Sequence, residues 1–294
     1  MSTTRTGPEP ATLDSGGATI TYDVRRGPAQ QPPLLLAGSP MDAAGFVTLA
    51  GHFPDRTVVT CDPRGTGRST TPDPAGESPP PPPDQHADDL ARVIEAVGTG
   101  PVDVFASSGG AVNALALVER HAGLVRTLVA HEPPLVHELP DADHAWAAVL
   151  AVREAYLRDG QGAGMARFIA LVQHRGPVTE DLAAAATPDP AAFGLPAEDD
   201  GRRDDPLLGQ NLLSCCGYRV DVAAVRSAAT RVVLAVGEGS AGELAHRAGV
   251  ALAGRLGEEP VRFPGDHAGF LGGEYGMTGE PDAFAARLRE VLAG

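Results

Sequence analysis

Residues Val102–Gly110 read Val-Asp-Val-Phe-Ala-Ser-Ser-Gly-Gly, a short apolar run that breaks into small residues and then into a helix-forming stretch. Ser108 falls at the sharpest point of that turn. A serine hydroxyl is a poor nucleophile unless it is held exposed beside a base, next to backbone N–H groups that can receive a developing oxyanion. A tight strand-to-helix turn meets both conditions. Ala106 and Gly110 are the small residues such crowding demands, and Gly109 tolerates unusual dihedrals. Ser108 is therefore the candidate nucleophile, with Ser107 dispensable beside it. A base is then needed, and an imidazole suits because its pKa lies near neutrality. His267, in Phe263-Pro264-Gly265-Asp266-His267-Ala268-Gly269, stands just past the last apolar strand signal and before the last helical one. A loop in that place can turn its ring toward Ser108.

The elements that must hold these residues alternate. Ala11–Arg26 alternates around Ser15-Gly16-Gly17 and predicts a β-hairpin at the antiparallel edge of a sheet. Strand signals follow at Pro33–Leu36, Thr57–Cys61, Val102–Ala106 and Arg126–His131. Helical spacing falls between them, near Ala43–His52, over Gln85–Val97 with Asp84 as a cap, and over Gly109–His121. Pro72–Pro83 ends in five consecutive prolines and predicts an exposed, extended loop. After Glu132-Pro133-Pro134 the rhythm stops. Between about Leu135 and Arg226 come amphipathic runs, Ala145–Arg158 and Gly164–His174, and a loop-rich acidic part, Thr187–Asp205. Alternation resumes with Arg231–Val236, Ala241–Leu256, Val261–Phe263 and Pro281–Leu292. Strands and helices in this order imply a mostly parallel, doubly wound α/β sheet, with the helical insertion over the strands' carboxyl ends where such sheets place ligands.

Three motifs resemble the α/β-hydrolase family. Ala106-Ser107-Ser108-Gly109-Gly110 is similar to its nucleophile elbow, Gly-x-Ser-x-Gly, with alanine for the first glycine. Asp62-x-Arg-Gly-x-Gly-x-Ser69 resembles a second family signature, read here as a structural turn. Its Gly-x-Gly lacks the third glycine of a dinucleotide loop. His86 and Asp88-Asp89 read as a solvated or loop-tethering helix start. Ala37-Gly38-Ser39-Pro40 stands where the family usually has His-Gly-x-Pro. The resemblance implies His267 as general base, and the backbone N–H groups of Ser39 and Gly109 as oxyanion donors. It leaves the acid between two positions. Most of the family places it in a Gly-x-x-Asp turn, which here reads Gly237-Glu238-Gly239-Ser240, while some relatives carry a glutamate after the preceding strand, where Glu132 stands. Glu132 is favoured because it directly follows an apolar strand and Pro133 biases it toward an extended backbone. Glu238 is the alternative, and Asp266 a poor substitute beside His267.

Composition bounds the partners. The 294 residues suffice for one α/β domain plus an insertion. A net charge of −15 leaves no basic stripe for a nucleic acid. All 23 basic residues are arginine, which excludes a Schiff-base lysine, a lysine-linked pyridoxal cofactor and a Gly-Lys-Ser/Thr phosphate loop. Cys61, Cys215 and Cys216 have neither disulfide-framework nor zinc spacing, so no metal is expected. The polar start and the lack of an 18-residue apolar run lead to the expectation of a soluble, cytoplasmic chain with no membrane partner.

The expected organisation is a disordered 1–10, an α/β-hydrolase core over 11–134 and 227–294, and a helical cap or lid over 135–226. The expected chemistry is cleavage of an ester, thioester or amide bond of a small molecule by Ser108, His267 and Glu132 through an acyl-enzyme, with no cofactor. Two other uses of the scaffold stay open. One is a non-hydrolytic or cofactor-free oxygen-dependent enzyme acting on a natural product, in which Ala37 and Ser240 reflect changed chemistry. The other is a ligand-binding protein without turnover.

Overall fold

A computed structural model describes residues 7–72, 80–98 and 100–294. In chain order the first elements are β1 (Glu9–Ser15), β2 (Ala18–Arg25), β3 (Leu34–Ala37), α1 (Val47–Gly51) and β4 (Val58–Cys61). Next come α2 (Pro83–Val97), β5 (Val102–Ser107), α3 (Gly109–Arg120) and β6 (Val125–His131). The stretch that breaks the alternation holds α4 (Ala142–Asp159), α5 (Gln161–Val172), α6 (Glu180–Ala184), α7 (Leu212–Cys216) and α8 (Val222–Ser227). It contains no strand among the described residues. The chain closes with β7 (Arg231–Gly237), α9 (Leu244–Leu256), β8 (Val261–Phe263) and α10 (Pro281–Ala293).

The strands form one sheet in the order β1-β2-β4-β3-β5-β6-β7-β8. β1, β2 and β4 pair antiparallel, and every pairing from β4 to β8 is parallel. This is the predicted α/β class, with the hairpin at the edge. Gly16 and Gly17 both have positive φ, 59° and 83°, the backbone a two-residue hairpin turn requires.

Period-two alternation sorts the strand side chains into two cores. Leu35 and Ala37 of β3 and Val102, Val104 and Ala106 of β5 face α2, α3 and α9. Leu34, Leu36 and Phe105 face the aromatic layer of α1 and α10, with Phe46, Phe53 and Phe284. The stripe Leu90, Val93, Ile94 on α2 is buried as its helical spacing predicts, each side chain contributing on the order of 2 kcal/mol relative to exposure.

Chain order reverses between β3 and β5, so the loops leaving these two strands lie side by side at their carboxyl ends. Cross-strand register keeps the neighbouring ends level, with Ala37 opposite Ala106, Ser107 opposite His131, and His131 opposite Ala235.

Four expectations need correction. Residues 1–6 lie outside the described residues, but Glu9 and Pro10 pair with Val24 and Asp23, so order begins inside the start read as disordered. Asp84 is not the cap of α2: Pro82 takes that place in extended geometry and Pro83 opens the helix, its missing N–H costing nothing in the first turn. The helix read from Ala241 begins at Leu244. The stretch Ala43–His52 divides into a 3₁₀ turn, Ala43–Phe46, and α1. Of the proline-rich loop, residues 73–79 lie outside the described residues.

Candidate active site

Ser108 is reached by continuing β5 one residue past its end. Its N–H donates to His131 O at 2.9 Å, so the ladder with β6 runs into the turn and anchors it. The backbone then bends sharply, with φ 56° and ψ −127° at Ser108, a conformation costly for a side-chain-bearing residue and held by its surroundings. The crowding is concrete: a Cβ on Gly109 would lie 2.5 Å from Ser39 O, and one on Gly110 would lie 2.4 Å from Ala37 O. The bend separates the two serines. Ser107 is buried with its hydroxyl 3.0 Å from His131 Nδ1, whereas Ser108 is half-buried and lines a cavity of about 180 Å³. The Ser108 hydroxyl has no hydrogen-bond partner among the described residues.

His267 lines the same cavity from the loop after β8. Its Nδ1 lies 2.6 Å from Glu132 Oε2, which assigns the Nδ1 proton to that bond and leaves Nε2 with the lone pair. The ring stacks on His131 at 5.9 Å and 27°. Burial would lower the His267 pKa, but the hydrogen bond and charge of Glu132 outweigh it and hold the pKa above the ordinary histidine value. His131 beneath is fully buried, and burial pushes it down to about 4, so it is neutral near pH 7.

Glu132 has no exposed surface. It stands at φ 48°, in the left-handed region, which corrects the extended backbone expected from Pro133. The preference imposed by a following proline yields here to sheet register, since Glu132 N–H donates to Ala235 O at 2.9 Å. The carboxylate is fully used. Oε1 accepts from Gly237 N at 2.9 Å and from the Ser240 hydroxyl, Oε2 faces His267, and His246 Nδ1 lies 3.6 Å from Oε1. Burial alone would raise its pKa, yet the nearby His246 and the hydrogen bond to His267 hold it well below the carboxylate range. Glu238 is exposed at the neighbouring turn with no side-chain partner among the described residues. Asp266 caps its own turn through Ala268 N at 2.8 Å.

Ser39 follows β3, is buried, and shares the cavity wall with Gly109. Its hydroxyl lies 2.5 Å from Asn211 Oδ1, a contact to the helical insertion that nothing in the local sequence announces. Ser240 and His131 were missed for the same reason, although Ser240 occupies the position where the resemblance expects an acid. From the insertion, Val149, Phe168, Leu171, Leu207 and Leu212 supply an apolar wall of the cavity, with the polar Gln173 beside them. No arginine lines it among the described residues, while Glu132 and Glu243 do. The described residues contain no cluster of three or more His, Cys, Asp or Glu able to hold a metal, and no helix long and apolar enough to cross a membrane.

A family model described as alpha/beta hydrolase fold matches residues 34–222, the stretch from β3 through the elbow and most of the insertion. The chain belongs to the α/β-hydrolase fold family. It is 29% identical to an uncharacterized hydrolase, YraK, of Bacillus subtilis strain 168, over 96% of this chain and 95% of that one. Among solved structures, a thermophilic esterase from Thermogutta terrifontis superposes with a TM-score of 0.65 at 17% identity, covering 97% of this chain and 98% of that one. The enol-lactonase from Burkholderia xenovorans LB400 superposes with a TM-score of 0.64 at 15% identity, covering 97% and 100%. At these identities the structural likeness establishes the fold. Membership of a hydrolase family supports an enzyme, and the chemistry has to come from the site itself.

Proposed function

We propose that this α/β-hydrolase cleaves ester-like bonds of small, uncharged molecules through a Ser108–His267–Glu132 triad and an acyl-enzyme. The observation that carries the reading is the 2.6 Å contact between His267 Nδ1 and the buried Glu132 carboxylate, on the wall of the cavity into which the strained Ser108 turn opens. Ser108 Oγ attacks the acyl carbonyl while its proton passes to His267 Nε2. The oxyanion receives the N–H groups of Ser39 and Gly109. The intermediate collapses as His267 returns the proton to the leaving group, and a water, deprotonated by the same nitrogen, releases the acid. Glu132 keeps the imidazole in the productive tautomer and stabilises its charged form.

The segment 135–226 serves in this reading as the cap that shapes the pocket, because its side chains supply the apolar walls over Ser108. The lining offers no arginine, and its two carboxylates already have partners, Glu243 in Arg175 and Glu132 in His267, so a free carboxylate or phosphate on the acyl part would be desolvated without a counter-charge. The departure at Ser240 fits a hydrolase, since its hydroxyl supports Glu132 from the place where relatives put the acid. The protein is read as cytoplasmic, with a small-molecule substrate and no cofactor.

The test compares p-nitrophenyl butyrate with p-nitrophenyl hemisuccinate. The neutral ester should be favoured in kcat/KM on the order of 10²-fold, because the hemisuccinate carboxylate would be buried without a counter-charge, and both activities should vanish in Ser108→Ala. Turnover that survives in Ser108→Ala contradicts the nucleophile. Equal turnover of both esters contradicts the charge assignment alone.

A further inference from the structure

The hydrogen bond between Ser39 and Asn211 joins residues 172 positions apart, and both are buried at the cavity wall. Its polarity is determined. Asn211 Nδ2 donates to Pro206 O at 2.9 Å, across the π-helical turn Pro206–Asn211, so Oδ1 faces Ser39 and the serine hydroxyl must donate. One turn further on, in α7, Cys215 Sγ lies 3.8 Å from the same Oδ1 and 3.9 Å from Gly109 O. A Cβ on Gly109 would come within 3.0 Å of that sulfur. One short piece of the insertion thus touches both residues whose N–H groups are proposed to receive the oxyanion. Ala37, at the start of this loop, brings only a methyl group to hold it.

We propose that Asn211 is a positioning residue for the oxyanion loop: by holding the Ser39 hydroxyl it sets the direction of the Ser39 peptide N–H. The insertion then takes part in transition-state stabilisation as well as walling the pocket. The inference rests on the serine-hydrolase reading of this site. Its physical basis is the steep dependence of oxyanion stabilisation on donor placement. A donor must sit about 3 Å from where the oxyanion forms, and a displacement of about 1 Å can cost on the order of 10²-fold in rate. Ground-state binding in an apolar pocket depends far less on that N–H. Loss of the tether should therefore appear in kcat and leave KM nearly unchanged.

The experiment measures kcat, KM and inhibition by a trifluoromethyl ketone for wild type, Ser39→Ala, Asn211→Ala and the double variant, with p-nitrophenyl butyrate as substrate and Ser108→Ala as the control. Ser39→Ala keeps the peptide N–H and removes only the tether oxygen. Each single variant is expected to lower kcat by about 10- to 10²-fold, with KM within about threefold. The ketone, which mimics the tetrahedral adduct, should weaken by the same factor as kcat. The double variant should be no worse than the more damaged single, because both substitutions break one bond. A raised KM with unchanged kcat, or losses that multiply in the double variant, overturns the inference and leaves Asn211 as a pocket wall. Should Asn211→Ala not fold, Ser39→Ala decides by the same split. Wild-type-like turnover in Ser108→Ala would instead sink the underlying reading, an outcome visible before any tether variant is measured.

Discussion

The Asp62–Ser69 turn and the end of β6 both bury carboxylates in dense hydrogen-bond networks, and they differ in the partner. In the Asp62–Ser69 turn, Asp62 accepts from Ala43 N at 3.1 Å, Arg68 N at 2.8 Å and Arg68 Nε at 2.7 Å, while Arg64 is paired with Asp89 at 2.6 Å. Arginine does not release its proton in a protein, so these ion pairs can only hold shape. They do: the Ser69 hydroxyl donates to Asp62 O and accepts from Thr21 N, tying the turn to the antiparallel edge of the sheet. At the end of β6, Glu132 is equally buried and equally well bonded, but its charged partner is His267, whose side chain is 40% exposed. An imidazole can take up and release a proton, and this one is reached from the cavity. Burial and perturbation alone do not mark a working carboxylate; a titratable, accessible partner does.

The contrast breaks most directly at the proposed nucleophile. Ser108→Ala should lower turnover on the order of 10⁶-fold in steady-state kinetics, because members of a triad act as a unit. Ser107→Ala, which removes only the bond to His131, should keep most of the activity.

Glu132→Gln comes next, with an expected loss of about 10⁴-fold in kcat, as an amide in this place favours the wrong imidazole tautomer. Glu238→Gln should be mild. In the wild type, kcat/KM should rise with pH through a group whose pKa lies above the ordinary histidine value, since the carboxylate stabilises protonated His267. That limb should move to lower pH in any residual activity of Glu132→Gln. Linkage gives the matching signs in stability. The raised His267 contributes stability that is complete below the unfolded histidine pKa and lost as pH rises through its folded value. The depressed Glu132 contributes stability present above the unfolded carboxylate pKa and lost as pH falls through its own folded value. Thermal unfolding followed across pH measures both.

The other network should behave in the opposite way. Asp89→Asn leaves Arg64 buried without its counter-charge and should cost about 3–5 kcal/mol in denaturant unfolding, with kcat of the folded fraction nearly unchanged. A large fall in kcat at full stability would erase the distinction between the two networks.

A smaller effect than at Asp89 is expected at Ser240, which donates its hydroxyl directly to Glu132. Ser240→Ala removes one charge-assisted donor from a carboxylate that keeps Gly237 N and His267. About 1.5–3 kcal/mol of stability should be lost, and kcat should fall less than in Glu132→Gln.

These comparisons also separate what local sequence can carry from what it cannot. The elbow was legible because close backbone approach leaves its mark as small residues at fixed spacing, and Gly109 and Gly110 have no room for a Cβ. The alternation of apolar runs and helical stretches implies the parallel sheet from sequence alone. Glu132 was named from its place after an apolar strand, but its backbone was misread, since a rule about one following proline does not include the register of β6 and β7. Asn211 and Ser240 meet their partners from 172 and 108 positions away, and no periodicity or motif encodes such a meeting. The start of β1 was hidden similarly, because Glu9 and Pro10 are strand only through their pairing with β2.

The central claim is that Ser108, and not its neighbour, is a live nucleophile served by the His267–Glu132 pair. Exposure of the folded protein to a fluorophosphonate, followed by peptide mapping in a mass spectrometer, tests it directly. One adduct at Ser108 is predicted, absent from Ser108→Ala, retained in Ser107→Ala and strongly slowed in Glu132→Gln. An adduct on Ser107, or a folded wild type that takes no label, would contradict the account.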